Sequence, residues 1–167
     1  GLADYQINQV YSEAKISDKN TIISGNETYI CDKIIAATGS EPRIIKGMEF
    51  DHNNILSSDD ILRLKELPKS IIIVGSGAIG IEWARIFSAF GTEVTIIELA
   101  DKLLPLADFE VSKRIERIFK SKKIKIYTST SVEQIEMKDL CNIKLSNGET
   151  IKTEKVLVEI GRASCRE

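Results

Sequence analysis

Apolar positions run along this chain in two rhythms. Between residues 5 and 40 they come in short bursts, YQINQVYSEAKI, TIIS, ETYICD and IIAATGS, with Gly25-Asn26 as a turn between the second and third. Bursts of this length and β-branched content predict β structure, broken at its end by Gly39 and Pro42. Residues 44–70 read as a connector, in which Ser57-Ser58-Asp59-Asp60 caps a short predicted helix, ILRLKEL, and Pro68 ends it. The rhythm then changes. Ile71 to Val74 is an unbroken β-branched run, the mark of a strand covered on both faces in a parallel sheet. IEWARIFSAFG follows as a helix stopped by Gly91, Glu93 to Glu98 as a second strand, and ADKLLPLAD as a loop. Asp108 opens another helix with apolar residues at Val111, Ile115, Ile118 and Phe119. KIKIYTS is the next strand. After SVEQIEMKD comes a hairpin, NIKL-SNGE-TIKT, turned at Asn147-Gly148. VLVEI is a last buried strand. The βαβαβ alternation with a β-meander predicts an α/β fold around a parallel sheet.

The junction between the first buried strand and its helix carries the chemistry. Gly75, Gly77 and Gly80 form G-x-G-x-x-G in the box Gly75-Ser76-Gly77-Ala78-Ile79-Gly80-Ile81. In a dinucleotide-binding βαβ unit the first glycine allows the tight turn and the second lets the backbone approach a pyrophosphate. The third lets the helix pack on the sheet. The helix N-terminus contributes unpaired N–H groups and a partial positive charge. Glu98 stands at the end of the second strand, where a carboxylate accepts hydrogen bonds from an adenosine ribose. The bland alternative is a glycine-rich strand-to-helix turn in some other α/β protein.

Composition narrows the classes. The chain has 167 residues, of which 43% are hydrophobic and 29% charged, with a net charge of −2. That is enough apolar material for a core, and the charge balance argues against nucleic acid or an anionic membrane as main partner. No apolar run approaches the ~18 residues of a membrane span, and no signal peptide opens the chain. Of the three cysteines, Cys31, Cys141 and Cys165, none forms a C-x-x-C, so no metal or redox pair is expected among them, and a reducing, cytoplasmic setting fits. His52, the single histidine, lies in the polar stretch EFDHNN and reads as a solvated loop residue.

Several segments together resemble the pyridine nucleotide–disulfide oxidoreductases, above all the members that oxidise a dihydrolipoyl group. They are IIAATGSEPR (34–43), ILSSDDILRLKELPKS (55–70), VGSGAIGIE (74–82), VTIIELADKLLP (94–105) and VLVEIGR (156–162). The resemblance implies a Rossmann-like nicotinamide-binding domain preceded by the C-terminal part of a FAD-binding segment, with FAD and NAD as cofactors. Because the A-T-G motif closes the first flavin segment, the glycine box after it belongs to the nicotinamide site. Carried over residue by residue, Thr38, Gly39 and Ser40 pass beside FAD, and Ala14 stands where a backbone segment meets the adenine, although Ser12 replaces the usual glycine there. Gly75 to Gly80 hold the pyrophosphate. Glu82 faces the nicotinamide, or is simply an acid in the first helical turn. Glu98 binds ribose hydroxyls, Val132 lines the adenine pocket, and Gly161 matches a second glycine-bearing turn. Trp83 and Arg85 are less usual for the box, and Trp83 is read as core packing.

The resemblance also implies what lies elsewhere. The family's redox disulfide would precede Gly1 and its catalytic His-Glu pair would follow residue 167, so the chain is expected to be an internal fragment holding no catalytic residue. The expected partition is 1–43 partial FAD domain, 44–70 connector, 71–158 NAD-binding domain and 159–167 a non-native tail. That last expectation arises because IGRASCRE corresponds to one reading frame of a common sequencing-library adapter, which would leave Cys165 without biological meaning. The implied parent oxidises a dihydrolipoyl group to its disulfide through its own disulfide and FAD to NAD⁺, as a homodimer. Its partner is the lipoyl domain of a 2-oxoacid dehydrogenase or glycine cleavage complex. Mercuric, glutathione or coenzyme-A disulfide reductases and NADH oxidases are the alternatives within the family; a non-catalytic dinucleotide-sensing module is the alternative outside it.

Overall fold

The computed structural model describes residues 7–164, and they separate into two units, one ending at Gly39 and one beginning at Ser40. The first unit is an antiparallel three-stranded sheet of β1 (Ala14–Asp18), β2 (Thr21–Ser24) and β3 (Glu27–Ile30). Two parts of the predicted β structure are not strands. Residues 7–13 and 33–39 have irregular backbone, and residues 5 and 6 lie outside the described residues. An apolar burst becomes a strand only when another main chain takes up its N–H and C=O groups, and IIAATG has no such neighbour among the described residues.

The second unit is built on a five-stranded parallel sheet. In chain order it contains β4 (Ser40–Pro42), β5 (Ile55–Leu56), α1 (Ser58–Ile61), β6 (Ser70–Val74), α2 (Ala78–Ala89) and β7 (Glu93–Ile97). There follow α3 (Phe109–Ser121), β8 (Lys125–Tyr127), β9 (Val132–Met137), β10 (Cys141–Leu145), β11 (Thr150–Thr153), β12 (Lys155–Val158) and β13 (Arg162–Ser164). The parallel sheet runs in the order β5-β12-β6-β7-β8, and β11-β10-β9 form an antiparallel meander. This is the expected α/β class, Rossmann-like with a meander.

Alternation of side chains explains how these layers stack. Ile71 and Ile73 of β6 meet Ile81, Ala84 and Phe87 of α2 together with Phe119 of α3 in one core. Ile72 and Val74, pointing to the other face, pack with Cys141, Ile143 and Leu145 of the meander in a second core. Because helices cover one face and β10 covers the other, both parities of the strand are apolar, and the sequence shows a run rather than an alternation. Trp83 is partly buried against the first core, 5.7 Å from the Phe87 ring, as packing requires. Cys31 and Cys141 are free thiols; Cys165 lies outside the described residues. No helix among the described residues is long and apolar enough to cross a membrane.

The connector differs most from expectation. Its helix is not ILRLKEL but the four residues Ser58–Ile61, started by a capping box in which Ser57 and Asp60 satisfy each other's backbone N–H groups. After Leu62 the chain continues in single turns, Arg63 N–H to Asp60 O and Leu64 N–H to Ile61 O, and Pro68 keeps Leu67 out of helical backbone. Ahead of it, Ile55 and Leu56 join the sheet edge beside Val156 and Leu157, a strand too short to show a period. Residues 44–70 therefore fold with the second unit. So do residues 40–42, which pair antiparallel with residues 162–164, so the division between units falls ahead of residue 43. His52 is exposed, as expected, with Nδ1 3.0 Å from Asp60 Oδ1.

Asp51 shapes the approach to β5. Its Oδ1 accepts N–H bonds from Asn53 (2.9 Å), Asn54 (2.6 Å) and Ile55 (2.8 Å). Desolvation would raise its pKa, but these donors, with Lys155 nearby, hold it below the usual 3.8. A carboxyl whose folded pKa is depressed stabilises the fold fully above its unfolded pKa and loses that contribution as pH falls through the folded value. Urea midpoints measured at pH 7 and at pH 3 should therefore show a smaller acid-induced drop for Asp51→Asn than for the unmutated chain.

Candidate functional site

Strand β6 ends at Val74, and the next residue must reverse the chain within touching distance of β12. Gly75 does so at φ +101°, and a Cβ there would run into the carbonyl oxygen of Glu159. Its own N–H donates to Ile97 O at 2.8 Å, tying the turn to β7. A Cβ on Gly80 would strike the carbonyl oxygen of Gly75 and stand 3.5 Å from Ile73 Cγ2, so this glycine sets the close seat of α2 on the strand. Gly77 is different: nothing lies within 4 Å of the place a Cβ would take. It is the N-cap of α2, in extended backbone and with no side-chain cap. The first-turn N–H groups of α2 thus have no capping side chain and stand at an open face.

The open face is one wall of a cleft of about 670 Å³ whose lining includes Gly75, Gly77, Glu98, Val132 and Gly161, with the buried Ser76 directly behind it. It lies at the carboxyl ends of the parallel strands. From β6 the chain moves to β7 and β8 on one side, then returns to place β12 on the other side of β6. That reversal is the switch point at which open α/β sheets hold ligands.

Glu98 follows β7 and is only 9% exposed. Its Oε2 accepts from Ser76 N–H at 2.8 Å and from Ser76 Oγ at 2.6 Å, and its Oε1 accepts from Ala100 N–H at 2.8 Å. Its main chain is held as well, N–H to Tyr127 O (2.8 Å) and O from Thr130 N–H (3.0 Å). A carboxylate offers roughly four acceptor positions. Three are used by the protein's described residues, and the open one is on Oε1.

Among the residues expected to form the cofactor site, Gly75, Ser76, Gly77, Glu98, Val132 and Gly161 come together here. Gly80 lies beneath the wall. Ala78 and Ile79 are exposed at the helix start and offer main-chain groups only, while the Ile81 side chain is turned into the core. Glu82 is exposed and outside the lining; since the helix begins at Ala78, it stands in the second turn rather than the first. Ser40 is in β4, where its Oγ accepts from Arg162 Nε at 2.9 Å. Ala14, Thr38 and Gly39 belong to the first unit and are exposed. There Ala14 shares a shallow hollow with Ser12 and Ser24, whose hydroxyls bond each other. Pro105, Leu106, Thr130 and Arg43 also line the cleft and were not expected. An apolar LLPL inside a loop was the available signal for the first two.

The sequence profile of the pyridine nucleotide-disulphide oxidoreductase family matches residues 2–166. A dihydrolipoyl dehydrogenase of Bacillus subtilis (strain 168) is 45% identical over 143 residues, covering 82% of this chain and 30% of that protein. A soluble pyridine nucleotide transhydrogenase of Aliivibrio fischeri is 36% identical over 163 residues, 94% of this chain and 35% of its own length. Among solved structures, the Cu(II) complex of the HOCl-induced flavoprotein disulfide reductase RclA of Escherichia coli aligns with a TM-score of 0.78 at 27% identity. It covers 98% of this chain and 39% of that one. The chain thus spans about a third of the length of the curated relatives it matches.

The three glycines answer different constraints, so substitution should separate them. Gly75→Ala combines positive φ with a main-chain collision and should cost about 3 kcal/mol or more of unfolding free energy. Gly77→Ala, into open space at an N-cap, should cost under about 1 kcal/mol. Denaturant midpoints of the two variants check this.

Proposed function

The chain belongs to the pyridine nucleotide-disulphide oxidoreductase family, and from that premise we propose that it is the nicotinamide-dinucleotide-binding part of a dihydrolipoyl dehydrogenase. The observation that carries the proposal is the joint presence, in one cleft, of an uncapped helix start behind a Cβ-free Gly77 and a buried carboxylate with one open acceptor position. A dinucleotide fits both ends of that arrangement. Its diphosphate is an anion suited to the N–H groups of α2, and its adenosine ribose carries the hydroxyls that Glu98 can accept. Val132, on the cleft wall, suits the apolar face of an adenine.

When bound, a nicotinamide dinucleotide supplies two-electron redox chemistry. The chain's own residues hold and orient it. Gly75 and Gly80 keep the turn compact, Gly77 lets the ligand approach the backbone, and Glu98 selects the ribose. FAD is the second cofactor of the proposed parent. The residues that the resemblance assigns to it here, Ala14, Thr38, Gly39 and Ser40, are all exposed, so no step is assigned to them. For the parent the proposed reaction is dihydrolipoyl oxidation by NAD⁺, and the proposed partner is a lipoyl domain of a 2-oxoacid dehydrogenase or glycine cleavage complex. The identity to the Bacillus subtilis relative favours this substrate over the other disulfides.

Cofactor choice tests the site. NADP would bring a 2′-phosphate against the Glu98 carboxylate, and two unit charges about 4 Å apart repel by about 4 kcal/mol at an effective dielectric near 20. The nearest following cation is Lys102, whose Nζ is committed to Ala107 O at 2.8 Å. Calorimetric titration should therefore give tighter binding of NAD⁺ than of NADP⁺, with most of the difference lost in Glu98→Ala. Equal or tighter NADP⁺ binding by the unmutated chain rejects the proposed role of Glu98.

A further inference from the structure

Glu98 is not free to choose its orientation, and the residue that restrains it is Ser76, between the first two glycines of the box. Ser76 is fully buried, with 0% exposure, and its side chain therefore cannot take part in recognition directly. Both of its donors and its carbonyl are engaged by neighbours. The N–H and the Oγ both donate to Glu98 Oε2, at 2.8 and 2.6 Å. The carbonyl accepts from Leu104 N–H at 3.0 Å. Leu104 itself sits at φ +48°, a conformation a leucine holds only when its surroundings enforce it. One residue thus connects the turn after β6, the carboxylate after β7, and the loop that supplies Pro105 and Leu106 to the cleft.

A buried carboxylate without these donors would have to find them elsewhere, and the groups within reach are those of the incoming ligand. With Oε2 filled by Ser76, the carboxylate cannot swing to meet a ligand with either oxygen. It presents Oε1, of which Ala100 N–H takes one position. We propose that Ser76 is a positioning residue for nucleotide selection: through its hydroxyl it locks Glu98 into the orientation that accepts a ribose hydroxyl and opposes a ribose phosphate. This inference rests on the dinucleotide reading of the cleft. It adds that discrimination between the two nucleotides depends on a side chain that touches neither of them. The main-chain N–H bond from residue 76 to Oε2 survives substitution of the side chain, so removing the hydroxyl loosens the carboxylate without stripping it of partners.

The test is a double-mutant cycle on the full chain, read by calorimetric titration with NAD⁺ and with NADP⁺. Ser76→Ala should weaken NAD⁺ binding about tenfold and narrow the NAD⁺/NADP⁺ affinity ratio, as expected for loss of a preorganising bond to a charged group. In the Glu98→Ala background the same substitution should have no further effect on the ratio, because its target is gone. Ser76→Cys, which keeps a weak donor of similar size, should fall between the two and also serves if the alanine variant does not fold. An affinity ratio that Ser76→Ala and Ser76→Cys both leave unchanged overturns the inference, as does an equal change in the presence and absence of Glu98. A purely structural serine would lower the melting temperature and leave the ratio alone. Failure of the underlying reading is separately visible, since the unmutated chain would then show no preference for NAD⁺ before any change at Ser76.

Discussion

The rest of this structure depends on a steric constraint at one point, where β6, β12 and the start of α2 compete for the same space. Gly75 meets the main chain of Glu159 on one side, and Gly80 meets the carbonyl of Gly75 on the other. Absence of two Cβ atoms lets a strand end, a neighbouring strand end and a helix start occupy a volume that ordinary residues would fill. Everything functional follows from that compactness. The helix N-terminus is brought to the sheet edge, the cleft opens at the switch point, and β7 ends close enough for its carboxylate to reach the turn.

Electrostatically, the Glu98 carboxylate is held by main-chain and hydroxyl dipoles, while Arg43 is the cation in the cleft lining. Glu98 is buried to 9% exposure with N–H and hydroxyl donors and, among the described residues, no lysine or arginine partner. Neutral donors stabilise a carboxylate while leaving its charge uncompensated. Such a group remains repulsive to a phosphate and receptive to a hydroxyl. An arginine in the same place would have supported the burial equally well and reversed the preference. The same logic appears at Asp51, where three successive N–H groups hold a carboxylate that organises the turn into β5.

The two units differ in how completely their apolar surface is used. In the second, β6 is covered by α2 on one face and by the meander on the other, and Ile71 to Val74 are all buried. In the first, Ile16, Ile23 and Ile30 of the small sheet remain exposed. Exposed apolar positions on a three-stranded sheet mark a surface suited to contact with another element. The chain spans about a third of the length of the curated relatives it matches.

Local rules made the core of the site legible from the sequence alone. A strand buried on both faces shows as the run Ile71 to Val74; three glycines at fixed spacing declare close backbone approach; and a terminal Glu98 follows as the end of the next strand. What no local rule carries is which main chains become neighbours. Periodicity reports how a residue is buried but not against what, so the edge pair Ile55-Leu56, too short for any period, and the irregular IIAATG, apolar but unpaired, were both misread. Helix propensity runs through ILRLKEL, yet the reciprocal bonds of Ser57 and Asp60 start the helix earlier, and it ends at Ile61 after one turn. The sequence determined that a dinucleotide-type turn exists here and that an acid stands near it. Only the tertiary structure decided that β12 lies beside β6, which makes the cleft, and that Ser76 holds Glu98, which orients it. Both depend on contacts between residues far apart in the chain, whose free energies are set by distance in space and not by position in sequence.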